Sequence, residues 1–172
     1  MQGTEKDLRA KLEAAEMVLV GIGEEFESEK NQAVCLKAYE KLVQLLNRKN
    51  YFVITTGKDE LLMRSGLRED RVVQPLLFEE DSDQVPPMWD KYTKWLQGTL
   101  NRNVLILELG VGLKYPGVIR FPFEKAAYFN KKADFIRVHG RLYQMTEELG
   151  DKGISIAQNA VAFLAGIEIE CK

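Results

Sequence analysis

Short apolar runs alternate along this chain with segments of helical periodicity, and that alternation constrains the fold more than any other feature. Met17-Val18-Leu19-Val20, Tyr51-Phe52-Val53-Ile54-Thr55, Val104-Leu105-Ile106-Leu107 and Asp134-Phe135-Ile136-Arg137-Val138 read as buried strands, being short and rich in β-branched or aromatic residues. Val72-Val73 before Pro75 and Gly153-Ile154-Ser155-Ile156 add two shorter candidates. Leu8, Leu12 and Ala15 mark one face of a first helix, which Thr4 and Asp7 open in a capping-box-like pattern. Val34, Ala38, Leu42, Leu45 and Leu46 return at helical spacing from about Gln32 to Arg48, and Asn50 helps to end that helix. Further helices are expected from Lys58 to Arg64, from Pro86-Pro87 through Trp89, Tyr92 and Leu96, around Val118 to Ala127, and from Ala157 to Ala165. The polar run Glu79 to Gln84 reads as a solvated loop.

Strands separated by single helices fit a doubly wound α/β fold of three layers, a mainly parallel sheet of about six strands covered on both faces. In such a sheet ligands bind beyond the carboxyl ends of the strands, where strand order reverses. Three of the expected strand ends carry glycine or threonine turns: Gly21-Ile22-Gly23, Thr55-Thr56-Gly57 and Gly110-Val111-Gly112. Any one could be a plain tight turn, but together they favour a nucleotide.

Composition narrows the function classes. The 172 residues, 45% hydrophobic and 29% charged, suit one globular domain over 1–172 with a sizeable core. A formal charge of −2, from 24 basic and 26 acidic residues, offers nucleic acid or an anionic membrane no attraction. Cys35 and Cys171 lie far apart and cannot supply the four ligands of a structural zinc site. No apolar stretch approaches the ~18 residues of a membrane span, no signal peptide is visible, and a cytoplasmic location is expected.

The order and spacing of these motifs resemble the sirtuins, specifically their larger, NAD-binding, Rossmann-like lobe. Gly21-Ile22-Gly23 is similar to the family's Gly-Ala-Gly turn, and Tyr51 through Thr55-Thr56-Gly57-Lys58-Asp59 to its strand ending in a Thr-Gln-Asn-x-Asp-type motif. Ser65-Gly66 stands where the family has Ala-Gly. Val104 to Gly112, followed by Tyr115-Pro116, is similar to the strand and Gly-Thr-Ser-type loop in the Glu-Leu-Gly-Val-Gly form of some bacterial relatives, and Arg137-Val138-His139 to the strand ending in an adenosine-contacting Asn. The resemblance implies NAD or ADP-ribose as cofactor, held by Gly21, Ile22, Gly23, Thr56, Asp59, Gly110, Val111, Gly112 and His139.

Departures from the family pattern bear on catalysis. Gln74 stands where the resemblance implies the base histidine, and a glutamine cannot take a proton. His139-Gly140, the chain's one His-Gly pair, comes too late in the sequence for that role. Gly57 replaces the family's Asn, leaving Asp59 of that pair, and the acidic run Glu24-Glu25-Phe26-Glu27 follows the first glycine turn, where carboxylates repel a pyrophosphate. The four zinc cysteines and their small domain are missing. The chain is therefore expected not to be a zinc-containing lysine deacetylase, and no catalytic or metal-ligating residue is assigned. It reads as an NAD- or ADP-ribose-binding domain with weak or no catalysis, residual ADP-ribosyl transfer or NAD hydrolysis included. The alternative is a pseudoenzyme or protein-interaction module that keeps the fold without NAD. Its partners are then a small nucleotide or another protein.

Glu108 is expected to accept backbone N–H bonds or pair with a cation, and Cys35 to be a core thiol. Tyr51, Phe52, Trp89, Trp95 and Phe121 are expected to pack in or beside the core.

Overall fold

The computed structural model describes residues 3–57, 60–77 and 85–169. Six strands form one parallel sheet, β1 (Met17–Ile22), β2 (Asn50–Thr55), β3 (Val72–Val73), β4 (Val104–Leu109), β5 (Asp134–Val138) and β6 (Gly153–Ile156), in the order β3-β2-β1-β4-β5-β6. Strand order reverses between β1 and β4, which pair from Met17 against Val104 to Ile22 against Leu109. The doubly wound, three-layer expectation is met. β1 and β4 are buried at every residue, as strands covered on both faces must be.

One face of the sheet carries α1 (Glu5–Ala14), α2 (Glu24–Ser28), α3 (Gln32–Leu45), α4 (Glu60–Arg64) and α7 (Ala160–Ala165). Here Leu8, Leu42, Leu62 and Leu164 pack on Val18, Val20, Val53 and Leu107. The opposite face carries α5 (Trp89–Gln97) and α6 (Arg120–Phe129), with Tyr92, Ile119 and Phe123 against Leu19, Phe52 and Ile106. Alternation along each strand sends successive side chains to opposite faces, so Val18 and Leu19 belong to different layers of core. Asp7 closes the start of α1, its carboxylate accepting from Thr4 N–H at 2.7 Å and from the Thr4 hydroxyl at 3.0 Å.

Several boundaries depart from expectation. β1 continues through Gly21-Ile22, because both residues pair in register with β2 and β4; only Gly23 lies in the turn. A Cβ on Gly21 would stand 2.5 Å from Ile119 Cγ2 and 2.7 Å from Phe123 Cε2, so the glycine there admits α6 against the sheet. Asn50 opens β2 instead of ending a helix; α3 stops at Leu45, capped by Leu46. The helix expected from Pro86 begins at Trp89 after Met88, which takes a left-handed φ of 66°. β4 runs two residues further, to Leu109. α6 starts at Arg120 and α7 at Ala160, where the Asn159 side chain accepts from Ala162 N–H. α2 was not anticipated. Phe121 is exposed instead of packed. Asp59, Cys171 and the Glu79–Gln84 run lie outside the described residues.

Candidate functional site

Beyond the carboxyl ends of the strands the backbone continues the sheet's hydrogen bonding by one more rung. Thr56 N–H donates to Ile22 O (3.0 Å), Gly23 N–H to Leu109 O (3.0 Å), Gly110 N–H to Val138 O (2.8 Å) and His139 N–H to Ile156 O (3.2 Å). This row brings together the turn residues that the sequence singled out. Gly23 comes so close to the next loop that a Cβ would stand 2.4 Å from Val111 Cα. Gly110 takes a left-handed φ of 65°, and a Cβ there would meet Glu25 Cβ at 2.7 Å.

Two carboxylates from α2 occupy the donors exposed above this row. Glu24 Oε2 accepts from Gly112 N–H at 2.5 Å. Glu25 accepts from Gly140 N–H (3.1 Å), from Ala160 N–H (2.9 Å) and from the Asn159 amide (3.3 Å). Glu25 thus ties the loops after β5 and β6 to the first residue after Gly23-Glu24. Backbone N–H groups converging at strand ends are what an anionic ligand uses. Here the anion is supplied from within the chain.

Ile22 and Val111, both 1% exposed, are core residues and present no side chain to a ligand. Thr56 and His139 face separate recesses. Thr56 borders a cleft of about 500 Å³ walled by Phe26, Glu27, Glu29, Leu76 and Tyr115. Its hydroxyl is the one buried side-chain polar atom that, among the described residues, lacks a hydrogen-bond partner. His139 borders a second recess of about 460 Å³ with Glu24, Glu25, Ser28 and Asn159.

His139 Nδ1 accepts from Arg141 N–H and Leu142 N–H, each at 2.9 Å. A nitrogen accepting two such bonds carries no proton, so the neutral Nε2–H tautomer is present and the 3.7 Å approach of Glu25 to Nδ1 is no ion pair. Burial holds the imidazole below its ordinary pKa, and the opposing pull of Glu25 is the smaller effect. The histidine shapes the loop after β5. Gln74, half-buried, donates from Nε2 to Gly57 O at 3.5 Å and performs no acid–base work.

Charged residues that the sequence had not connected hold these loops. Glu108 is the cation's partner that was expected of it: Arg137, its register neighbour on β5, donates from Nε to Oε1 at 2.8 Å and from Nη2 to Oε2 at 3.2 Å. Arg137 also reaches Glu124 (2.7 Å) and Gln144 O (2.7 Å). Arg120 donates to Val111 O (2.8 Å) and Leu142 O (3.0 Å) and lies 3.6 Å from Glu108. Burial pushes the Glu108 carboxyl above its ordinary value, with the two guanidiniums opposing. Two cations and two carboxylates balance, and the spare N–H groups fix the carbonyls of both loops. Cys35 is a buried thiol that also borders the larger cleft. No group of three or more potential metal ligands occurs among the described residues, and no described helix is long and apolar enough to cross a membrane.

No protein-family model and no curated protein matches the chain. Solved structures do. A structure describing the mechanism and regulation of Sir2 enzymes has 14% identity and a TM-score of 0.57, over 94% of this chain and 96% of the other. A Sir2 with a p53 peptide and NAD+ gives 11% and 0.59 over 94% and 96%, and Sir2Tm bound to a propionylated peptide gives 12% and 0.58 over 92% and 94%. The chain has the sirtuin fold.

Proposed function

We propose that the 1–172 span is one sirtuin-fold domain acting as a pseudoenzyme, which keeps the sheet and strand-end turns while its own carboxylates replace the diphosphate of NAD. The observation that carries this reading is the bonding of Glu24 to Gly112 N–H and of Glu25 to Gly140 and Ala160 N–H. A diphosphate entering there would find its donors engaged and two negative charges beside them. Two further features support the same reading: Gln74 is an amide, and His139 spends Nδ1 on two backbone N–H groups. The domain then serves a ligand without a diphosphate or a protein partner, and does not deacylate lysine.

Titration calorimetry with NAD and ADP-ribose tests it, alongside acetyl-lysine peptide turnover. Binding weaker than about 100 μM and no NAD-dependent deacetylation are expected. Low-micromolar ADP-ribose binding, or turnover that survives repurification, would instead establish the second reading, an NAD- or ADP-ribose-binding domain with residual ADP-ribosyl transfer. That reading draws on the NAD-bound sirtuin structure of the same fold and on the open cleft beside Thr56.

A further inference from the structure

The outer face of α6 is apolar and uncovered. Phe121, Tyr128 and Phe129 are 57%, 53% and 65% exposed, and Leu100, in the turn between α5 and β4, is 59% exposed. Taking about 200 Å² for each whole residue, the three aromatics alone leave about 350 Å² open, a size at which a patch on a monomer is often functional. Beside them a groove of about 370 Å³ runs between α5 and α6, walled by Leu96, Leu100, Pro122, Ala126 and Phe129. It lies towards the amino ends of β4 and β5, away from the carboxylate-filled turns. Its floor is held by the buried Asn130 amide, which donates to Thr99 O (2.8 Å) and Arg102 O (3.4 Å), and by the Thr99 hydroxyl, which donates to Leu96 O (2.6 Å). The groove is therefore formed before anything enters it, which lowers the cost of binding.

The charge around this groove has one sign. Lys125 is the one ionisable side chain among its described lining residues, and Arg102, Lys131 and Lys132 stand exposed in the adjoining turns. None of these four cations forms an ion pair among the described residues. In a chain of net charge −2 they are a local excess of cation. Glu124 and Glu148 border a separate recess on the other flank of α6, and Glu124 is held there by Arg137 at 2.7 Å.

We propose that the groove between α5 and α6 docks an acidic amphipathic helix of a partner protein, with apolar side chains seated between Leu100 and Phe129 and carboxylates meeting Lys125 and the cations beside it. Helices pack ridge into groove, and apolar side chains three and four residues apart supply such a ridge. Charge chooses among the occupants. A two-fold pair sets one patch against itself, so a second copy would bring these cations together. An anionic lipid surface matches the charge but not the shape, because a bilayer takes up a convex apolar face and this groove is concave with a fixed floor. The proposal does not depend on whether the diphosphate place is filled.

The full chain is used to select from a displayed library of short helical peptides randomised on both faces. Enriched peptides are expected to carry apolar residues at i, i+3, i+4 and i+7 and an excess of Asp and Glu. With one enriched peptide synthesised, fluorescence anisotropy should find Phe129→Ala and Leu100→Ala each binding roughly tenfold more weakly or worse, with Tm unchanged because both side chains are exposed. Lys125→Glu should weaken the acidic peptide, and selection repeated on that variant should enrich basic peptides instead. Selection that yields no binder, binders without an acidic excess, or binding indifferent to Phe129→Ala and Lys125→Glu would overturn the proposal. A dimer in sedimentation that Phe129→Ala dissociates would overturn it in favour of a second copy. Capture by phosphatidylserine vesicles that Phe129→Ala abolishes would overturn it in favour of a lipid surface.

Discussion

Replacing Glu25 by alanine separates an internal anion from a passive surface acid. Its carboxylate, on a side chain 12% exposed, holds two backbone N–H groups at 2.9 and 3.1 Å and an amide at 3.3 Å. Hydrogen bonds to a charged group are worth about 1.5 kcal/mol each at the lower end, so the two backbone bonds together contribute about 3 kcal/mol. For a domain of this length that loss lowers Tm by roughly 6–12 °C. The same change removes a negative charge from the place of a phosphate. At a separation of ~6 Å and an effective dielectric near 20, that repulsion is about 3 kcal/mol, on the order of a hundredfold in affinity. Differential scanning calorimetry should therefore show Glu25→Ala melting earlier, and titration should show it binding ADP-ribose more tightly than the parent, with adenosine unaffected. ADP-ribose should also restore part of the lost Tm, because the freed N–H groups regain an anion. A variant that melts with the parent would refute the structural part of the reasoning. One that loses ADP-ribose affinity the parent possesses would show the carboxylate to be a ligand for the ribose.

The pKa of His139 is lowered by burial, so between pH 6.5 and its folded value the unfolded chain takes up a proton that the native chain refuses. Stability present above pH 6.5 is then lost as pH falls, at no more than about 1.4 kcal/mol per pH unit, and urea titrations across that range should find His139→Asn less pH-dependent than the parent. Glu108→Gln leaves Arg137 short of its bidentate partner and should cost about 3 kcal/mol; a Glu108→Gln, Arg137→Met double variant losing clearly less than the sum of the singles, by chemical denaturation, would confirm the coupling. Thr56→Val removes an unsatisfied buried hydroxyl at constant shape and should raise the stability of the ligand-free chain by about 1 kcal/mol or more, read as a higher Tm; a lower Tm would mean that the hydroxyl has a partner.

The sheet was legible because each long strand is a compact apolar run and each covering helix keeps its 3.6-residue period, as Val18 to Leu19 and Val34 to Leu46 illustrate. The strands run past their apolar cores, β1 to Ile22 and β4 to Leu109. Gly21 carries a turn signal, yet it pairs in β1 because Ile119 and Phe123 need the space that its missing side chain leaves. α2 is not legible in the sequence because a five-residue helix offers barely one turn of periodicity, and its one buried residue is Phe26. The sign of Glu24 and Glu25 was readable, and so was their quarrel with a pyrophosphate. What periodicity cannot show is that Gly112, Gly140 and Ala160, distant in sequence, direct N–H groups at them. An acidic pair immediately after a glycine-bounded strand end was the available signal. The partnership of Glu108 with Arg137 was likewise hidden until register placed the two side by side.

The two groups of charge act on the same loops from opposite sides. Arg120 and Arg137 grip Val111 O, Leu142 O and Gln144 O from within the sheet's α6 side. Glu24 and Glu25 grip Gly112, Gly140 and Ala160 N–H from α2. Carbonyls are thus met by cations and N–H groups by anions, so these groups are satisfied without any ligand in place. A nucleotide site that depends on its ligand leaves such donors open, with the loops stiffening on binding. Here the corresponding order is internal, and anything that binds at the carboxylate side must first break bonds to a charged group. The Thr56 cleft carries no such obligation, since its buried hydroxyl has no bond to surrender. The two recesses therefore differ in kind: backbone donors bordering the one beside His139 are already bonded to a carboxylate, while the one beside Thr56 borders a buried hydroxyl that is not bonded.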